Sequence, residues 1–216
     1  MNKPFAIFDM DGTLVDSMVY WQRLGREYLT SRGVTEGMDE TLERIKAMTM
    51  AESSALFIET FGLPGTPESV EAEMNAVMDE HYRSDIPLKP GAADYLAALK
   101  KRGTKMCVAT ATPEPLARAC LERLGVLEDF QFLLSCDEVA AGKDKPDVFL
   151  EAARRLGAAP AETAAFEDAL FALQTAKDAG FYTVGVWDAS GEKQWDALTA
   201  LADETVRDWK AAAEAL

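Results

Sequence analysis

Histidine is almost absent: His81 is the only one in 216 residues. A Ser-His-Asp relay would have to run through it, and no G-x-S-x-G turn accompanies it. Cysteine is scarce too. Cys107, Cys120 and Cys136 form no C-x-x-C pair, which excludes a zinc site rich in Cys and His. Their odd number, with no secretion signal, reads as reduced and mostly buried thiols. Cysteine-phosphate chemistry is excluded as well, because the arginine that must wrap the phosphate is missing: Pro113, Val126 and Gly142 stand at the required spacing. No two glycines are spaced G-x-G, so the dinucleotide fingerprint is absent. The Gly142-Lys143 pair is followed by Asp144, which breaks the P-loop pattern.

Positive charge is also in short supply. Lys and Arg number 22 against 37 Asp and Glu, a net charge of −15. Such a chain is a poor ligand for nucleic acid or an anionic membrane, and neither is expected as a partner. An anionic substrate would need a local source of attraction, and a bound cation is one. No apolar run approaches the roughly 18 residues of a membrane span. The segment MNKPFAIFDMDG meets Asp9 and Asp11 too early for a signal-peptide apolar region, so a cytoplasmic protein is expected. At 48% hydrophobic and 27% charged the composition is that of a globular chain, long enough for one full domain or a core with a small second one.

Short apolar runs alternate with helical patterns. FAIF (5–8), KMCVAT (105–110), QFLLS (131–135), TAAFED (163–168) and YTVGVW (182–187) lack polar alternation, which suits strands buried on both faces. Helical patterns run over 91–102, 114–124, 146–156 and 170–179, and glycine follows each one, at Gly103, Gly125, Gly157 and Gly180. Thr112 is the expected N-cap of the second of these, with Pro113 at its first position. The tail from Gly191 is expected to be mostly helical, with a weak strand at 204–207. Strand–helix–strand repetition predicts a parallel sheet with right-handed crossovers. Residues 17–85 break the rhythm with helical patterns alone: 17–31, 38–48, a segment opened by a Thr49/Glu52 capping box, and one opened by Thr66-Pro67. Trp21 and the methionines of this block read as its core.

Ligands of an open parallel sheet bind at the carboxyl ends of its strands. The residues there are Asp9 and Asp11, Thr110, Glu167 and Asp168, with Lys143 after the third strand. Four carboxylates in one crevice repel each other unless a cation sits among them, and an all-oxygen donor set suits Mg²⁺. A lone Asp after a strand is more often a turn former, which is the reading for Asp16, Asp137 and Asp188. Glu167-Asp168 alone would suit a helix cap, Thr110 a buried strand position, and Lys143 a solvated loop. Asp9-Met-Asp-Gly-Thr13 is more specific, because Gly12 permits a sharp turn directly after two acids.

These segments together resemble the haloacid dehalogenase-like hydrolase superfamily. FDMDGTLVDS (8–17) is similar to its first motif, VATAT (108–112) to the second, GKDKPDVF (142–149) to the third and FEDALFALQTAKDAG (166–180) to the fourth. The resemblance covers essentially the whole chain. It implies an α/β fold in which a Rossmann-like parallel sheet core, residues 1–16 and 85–216, carries an inserted all-helical cap subdomain, residues 17–84. The helical insert resembles the cap of the subfamily containing β-phosphoglucomutase and phosphoglycolate phosphatase.

Carried over by position, the resemblance implies that Asp9 is the nucleophile that becomes an aspartyl phosphate. Asp11 is then the general acid and base, Thr110 a donor to a phosphoryl oxygen, and Lys143 the neutralising cation, with Lys145 as the alternative because the motif reads KDKPDVF. Asp9, the backbone carbonyl of Asp11, and Asp168 would hold Mg²⁺, with Glu167 assisting. The expected activity is hydrolysis of a small phosphorylated metabolite by a monomer. A β-phosphoglucomutase-type phosphotransferase is the alternative, opposed by Trp21 where such mutases carry a histidine. A phosphoacceptor signalling domain is disfavoured, since there the phosphorylated Asp follows a middle strand. Lys46, Thr49, Arg23 and Arg44 are the cap candidates for substrate contact.

Overall fold

The computed structural model describes residues 1–45 and 48–216. They form two compact units, one of Met1–Met18 with Ile86–Leu216, the other of Val19–Asp85.

In the first unit the apolar runs become strands β1 (Phe5–Phe8), β2 (Lys105–Thr110), β3 (Leu133–Ser135), β4 (Thr163–Glu167), β5 (Tyr182–Val186) and β6 (Glu204–Val206). They make one parallel sheet in the order β3-β2-β1-β4-β5-β6. The strands are short and buried on both faces, as their unbroken apolar runs require. Side chains alternate faces: Ile7 and Ala165 join the cluster of Cys107, Leu134 and Phe149, whereas Phe8 stacks on Phe166 at 4.2 Å beside Trp209. The chain winds outward from β1 to β3 and returns to place β4 on the other side of β1. The direction of winding therefore reverses between β1 and β4, and a crevice opens at their carboxyl ends.

The second unit holds α1 (Met18–Ser31, entering from the last residue of the first unit), α2 (Met38–Ile45), α3 (Met50–Phe61) and α4 (Pro67–Ser84). The expected capping box at Thr49/Glu52 is formed, and Thr66 and Ser69 form another at the start of α4. Leu24, Tyr28, Leu29, Phe57, Val70, Met74, Met78 and Tyr82 are buried as its core. Gly25 lets the helices approach, since a Cβ there would stand 2.9 Å from Leu42 and 3.2 Å from Phe57. Helices α5 (Ala92–Lys101), α6 (Glu114–Arg123), α7 (Cys136–Val139), α8 (Asp147–Leu156), α9 (Leu170–Asp178), α10 (Trp195–Leu201) and α11 (Trp209–Glu214) belong to the sheet unit.

Several expectations are corrected. Trp21 is half-buried, its indole N–H donating to the Tyr82 hydroxyl at 3.2 Å, and Met48 is exposed. Helix α6 has Pro113 rather than Thr112 at its N-cap, because the Thr112 hydroxyl is engaged elsewhere. The short helix α7 has no counterpart in the periodicity reading; Ser135 caps it by accepting from the Asp137 amide. All three cysteines are buried and unpaired, and burial pushes the Cys120 thiol up to about 11. No helix of the described residues is long and apolar enough to cross a membrane.

Candidate active site

Asp9 directly follows β1, and its amide donates to the Phe166 carbonyl at 3.0 Å, which extends the β1–β4 ladder by one rung. The chain then turns back on itself: the amides of Leu14 and Val15 both donate to the Met10 carbonyl, and Gly12 donates to Val15. Gly12 adopts φ +78°, and a Cβ on it would lie 2.2 Å from an Asp168 carboxylate oxygen. The glycine therefore serves two needs, a left-handed backbone and room for Asp168. Gly12→Ala is expected to destabilise the fold by at least about 1 kcal/mol and to lower activity by displacing Asp168. Urea denaturation and phosphate release measure the two effects; an alanine variant indistinguishable from wild type in both would contradict the close approach.

Glu167 ends β4 fully buried, and Asp168 follows it half-buried. Neither caps α9, whose N-cap is Ala169 with no side-chain bond, so the helix-cap reading of this pair fails. Lys143 lies in the loop between α7 and α8, buried at 8% exposure, whereas Lys145 is exposed. Its ammonium donates to Oδ1 of Asp9 and, at 2.6 Å, to Oε1 of Glu167. Of the two candidate lysines, Lys143 is the one among the acids. Oxygens of Asp9, Glu167 and Asp168 all lie within 4.8 Å of one another. Thr13 donates weakly to Asp168 at 3.4 Å.

Charge in this cluster is unbalanced, with three carboxylates around one ammonium. Burial alone would lower the Lys143 pKa, but Asp9 and Glu167 outweigh it and hold the group above the usual lysine range. Burial and the neighbouring Asp9 push Glu167 well above the carboxylate range, with Lys143 opposing. Asp168 rises to about 7 through burial and the charges of Asp9 and Asp188. The Asp9 Oδ2 atom is buried with no hydrogen-bond partner among the described residues. An orphaned carboxylate oxygen beside two acids raised by burial and mutual repulsion, all hard oxygen donors, fits a divalent cation.

Asp11 is not part of that carboxylate group. One of its oxygens accepts from Ser17 Oγ and the other from Thr112 Oγ1, both at 2.7 Å. Thr110 is fully buried at the end of β2, its oxygen accepting the Thr112 amide at 3.0 Å. Ser17 and Thr112 both fall within the motif stretches yet carry no sequence signal of a site role; nothing local marks either hydroxyl as the partner of Asp11, six residues away for Ser17 and 101 for Thr112. Asp188 is more than a turn former. It does accept from Ser190, and it also forms a buried ion pair with Lys89 at 2.8 Å. Arg23, Arg44 and Thr49 are exposed residues of the helical unit, Thr49 being a helix cap, and Lys46 lies outside the described residues.

A parallel sheet with its winding reversal at β1 and β4, and acids gathered around a buried lysine at that reversal, place a polar, charged crevice where α/β proteins bind ligands. The model of the haloacid dehalogenase-like hydrolase family matches residues 5–180, and the chain belongs to that family. Similar proteins include the Dickeya dadantii protein named probable phosphatase IndB, 33% identical over 212 residues that cover 95% of this chain and 90% of that one. The β-phosphoglucomutase of Bacillus subtilis is 30% identical over 197 residues, 84% of this chain and 82% of the mutase. Among solved structures, CbbY from Rhodobacter sphaeroides in complex with phosphate shares the fold with a TM-score of 0.70 at 24% identity, each chain covered completely.

Proposed function

We propose that this protein is a cytoplasmic, monomeric, Mg²⁺-dependent phosphatase that hydrolyses a small phosphorylated metabolite, a sugar phosphate or a phosphoglycolate-like monoester, through an aspartyl phosphate on Asp9. The observation that carries the reading is Asp9 itself: buried at the winding reversal, one oxygen on Lys143, the other with no hydrogen-bond partner among the described residues.

In this reading an Asp9 oxygen attacks phosphorus, the bond from phosphorus to the ester oxygen breaks, and Asp11 delivers its proton to the departing alkoxide. Water then attacks the phosphorus, Asp11 takes its proton, and inorganic phosphate leaves with the Asp9 carboxylate restored. Ser17 and Thr112 orient Asp11 through both of its oxygens. Thr110 accepts the Thr112 amide, which leaves its own hydroxyl proton for a phosphoryl oxygen. Lys143 stays cationic and offsets the repulsion between Asp9 and an anionic substrate. Asp9, Asp168 and the backbone carbonyl of Asp11, assisted by Glu167, would hold Mg²⁺, which supplies a Lewis acid for the phosphoryl charge. The helical unit, taken as a cap, selects the substrate.

The test is a screen of phosphorylated metabolites for released phosphate, with Mg²⁺ or with EDTA. Activity is expected only with the metal. Because the raised Asp168 must lose its proton to bind a cation, Mg²⁺ should raise the melting temperature more at about pH 8 than at about pH 5. Full turnover in EDTA, or no metal effect on melting at either pH, would remove the metal from the reading. The relationship to a β-phosphoglucomutase keeps a second reading in play, and the same screen decides it. Trp21 has no titratable group to offer, so glucose 6-phosphate should not accumulate from β-glucose 1-phosphate.

A further inference from the structure

We infer that His81 is a doubly protonated imidazolium that clasps α1 to the end of α4, so that the helical unit loosens as pH rises. Both ring nitrogens face carboxylates: Nε2 lies 3.0 Å from Oε2 of Glu27, and Nδ1 lies 2.9 Å from Oδ1 of Asp85. A neutral imidazole has one N–H and one bare lone pair. In either tautomer that lone pair would point at an ionised carboxylate oxygen at hydrogen-bonding distance, which is repulsive. Only the cation donates from both sides.

The surroundings hold the ring in this orientation. Its side chain is 16% exposed, and the Tyr20 ring lies against it at 4.8 Å between centroids. Tyr20 also donates its hydroxyl to the Asp85 carbonyl at 3.3 Å. The titratable groups turned toward the imidazole are Tyr20 and Glu27 from α1 and Asp85 from the end of α4. Asp85 is the C-cap of α4, its amide donating to the His81 carbonyl, and it is the last residue of the helical unit before Ile86. One side chain therefore ties the middle of α1 to the last turn of α4, at the point where the chain leaves this unit.

Burial alone would lower the His81 pKa, but the hydrogen bonds and charges of Asp85 and Glu27 outweigh it and raise it above the ordinary histidine value. A group raised in the folded state stabilises fully below its unfolded pKa, and that contribution is lost as pH climbs through the folded one. Glu27 and Asp85 are about half-exposed, so added salt weakens the clasp. The inference does not depend on the proposed reaction.

With a single histidine in the chain, its Hε1 NMR signal is unambiguous. Titrated in the full-length protein, it is expected to show a higher midpoint than in the same chain unfolded by urea. Glu27→Gln and Asp85→Asn should each lower that midpoint. A folded midpoint at or below the unfolded one, or one that neither variant moves, overturns the inference. Hydrogen exchange gives the second readout. Wild type should protect α1 and α4 amides better than His81→Gln at acidic pH, with the advantage fading through the titration and the β1 and β4 amides unaffected. An advantage constant with pH, or equally large in the sheet, also overturns it.

Discussion

Asp9→Asn is expected to lower phosphate release by at least about 10³-fold with the fold intact, because an amide is a far poorer nucleophile than a carboxylate. The substitution is nearly isosteric at a buried position. Its oxygen can still accept from Lys143, so far-ultraviolet circular dichroism and the cooperative unfolding transition should remain those of wild type. Labelling adds a direct readout: acid-quenched wild type should carry a base-labile phosphate from a turning-over substrate, and Asp9→Asn should carry none. Wild-type turnover in the variant would show that the nucleophile lies elsewhere.

Removing the buried ammonium is the other large effect. Lys143→Met strands the buried carboxylates of Asp9 and Glu167 without their cation, and breaking a buried pair from one side costs about 3–5 kcal/mol. The sign with pH follows from the acids left behind. Glu167, already raised by burial and the nearby Asp9, rises further once the ammonium is gone, so protonation relieves the variant and its deficit should shrink as pH falls. Urea denaturation at about pH 5 and about pH 8 measures this. Activity should fall by at least about 10²-fold, since the proposed mechanism loses its preorganised cation beside the phosphoryl charge. Lys145→Met is the control and should change neither quantity, its side chain being exposed. If Lys145→Met were the damaging variant, the assignment of the site lysine would be reversed.

Much of this site was legible in one dimension because its parts sit at strand ends. An apolar run that stops at Asp9, and another that stops at Glu167-Asp168, place acids where a parallel sheet exposes them. Lys143 was harder, since a loop lysine is ordinarily solvated and KDKPDVF offers two. Burial of one ammonium between two carboxylates separates them, and burial is a property of the packed chain. Thr112 was misread because Thr-Pro is a common helix entry; its hydroxyl instead reaches Asp11, a partner far away in the sequence. Hydrophobicity alone assigns Trp21 to a core, yet an indole has an N–H to satisfy, and it sits half-exposed against the Tyr82 hydroxyl.

The amino-acid order by itself determined the alternation of strand and helix, the helical interruption after β1, and the sharp turn at Gly12. Each of these follows from local periodicity or backbone freedom. Only the tertiary structure decided which acids meet: Asp9, Glu167 and Asp168 converge around Lys143, while the Asp11 carboxylate turns to Ser17 and Thr112. The reason is that β1 and β4 become neighbours through ladder pairing across most of the chain, and repulsion, burial and charge pairing act through space, with no trace in the spacing of residues along the backbone.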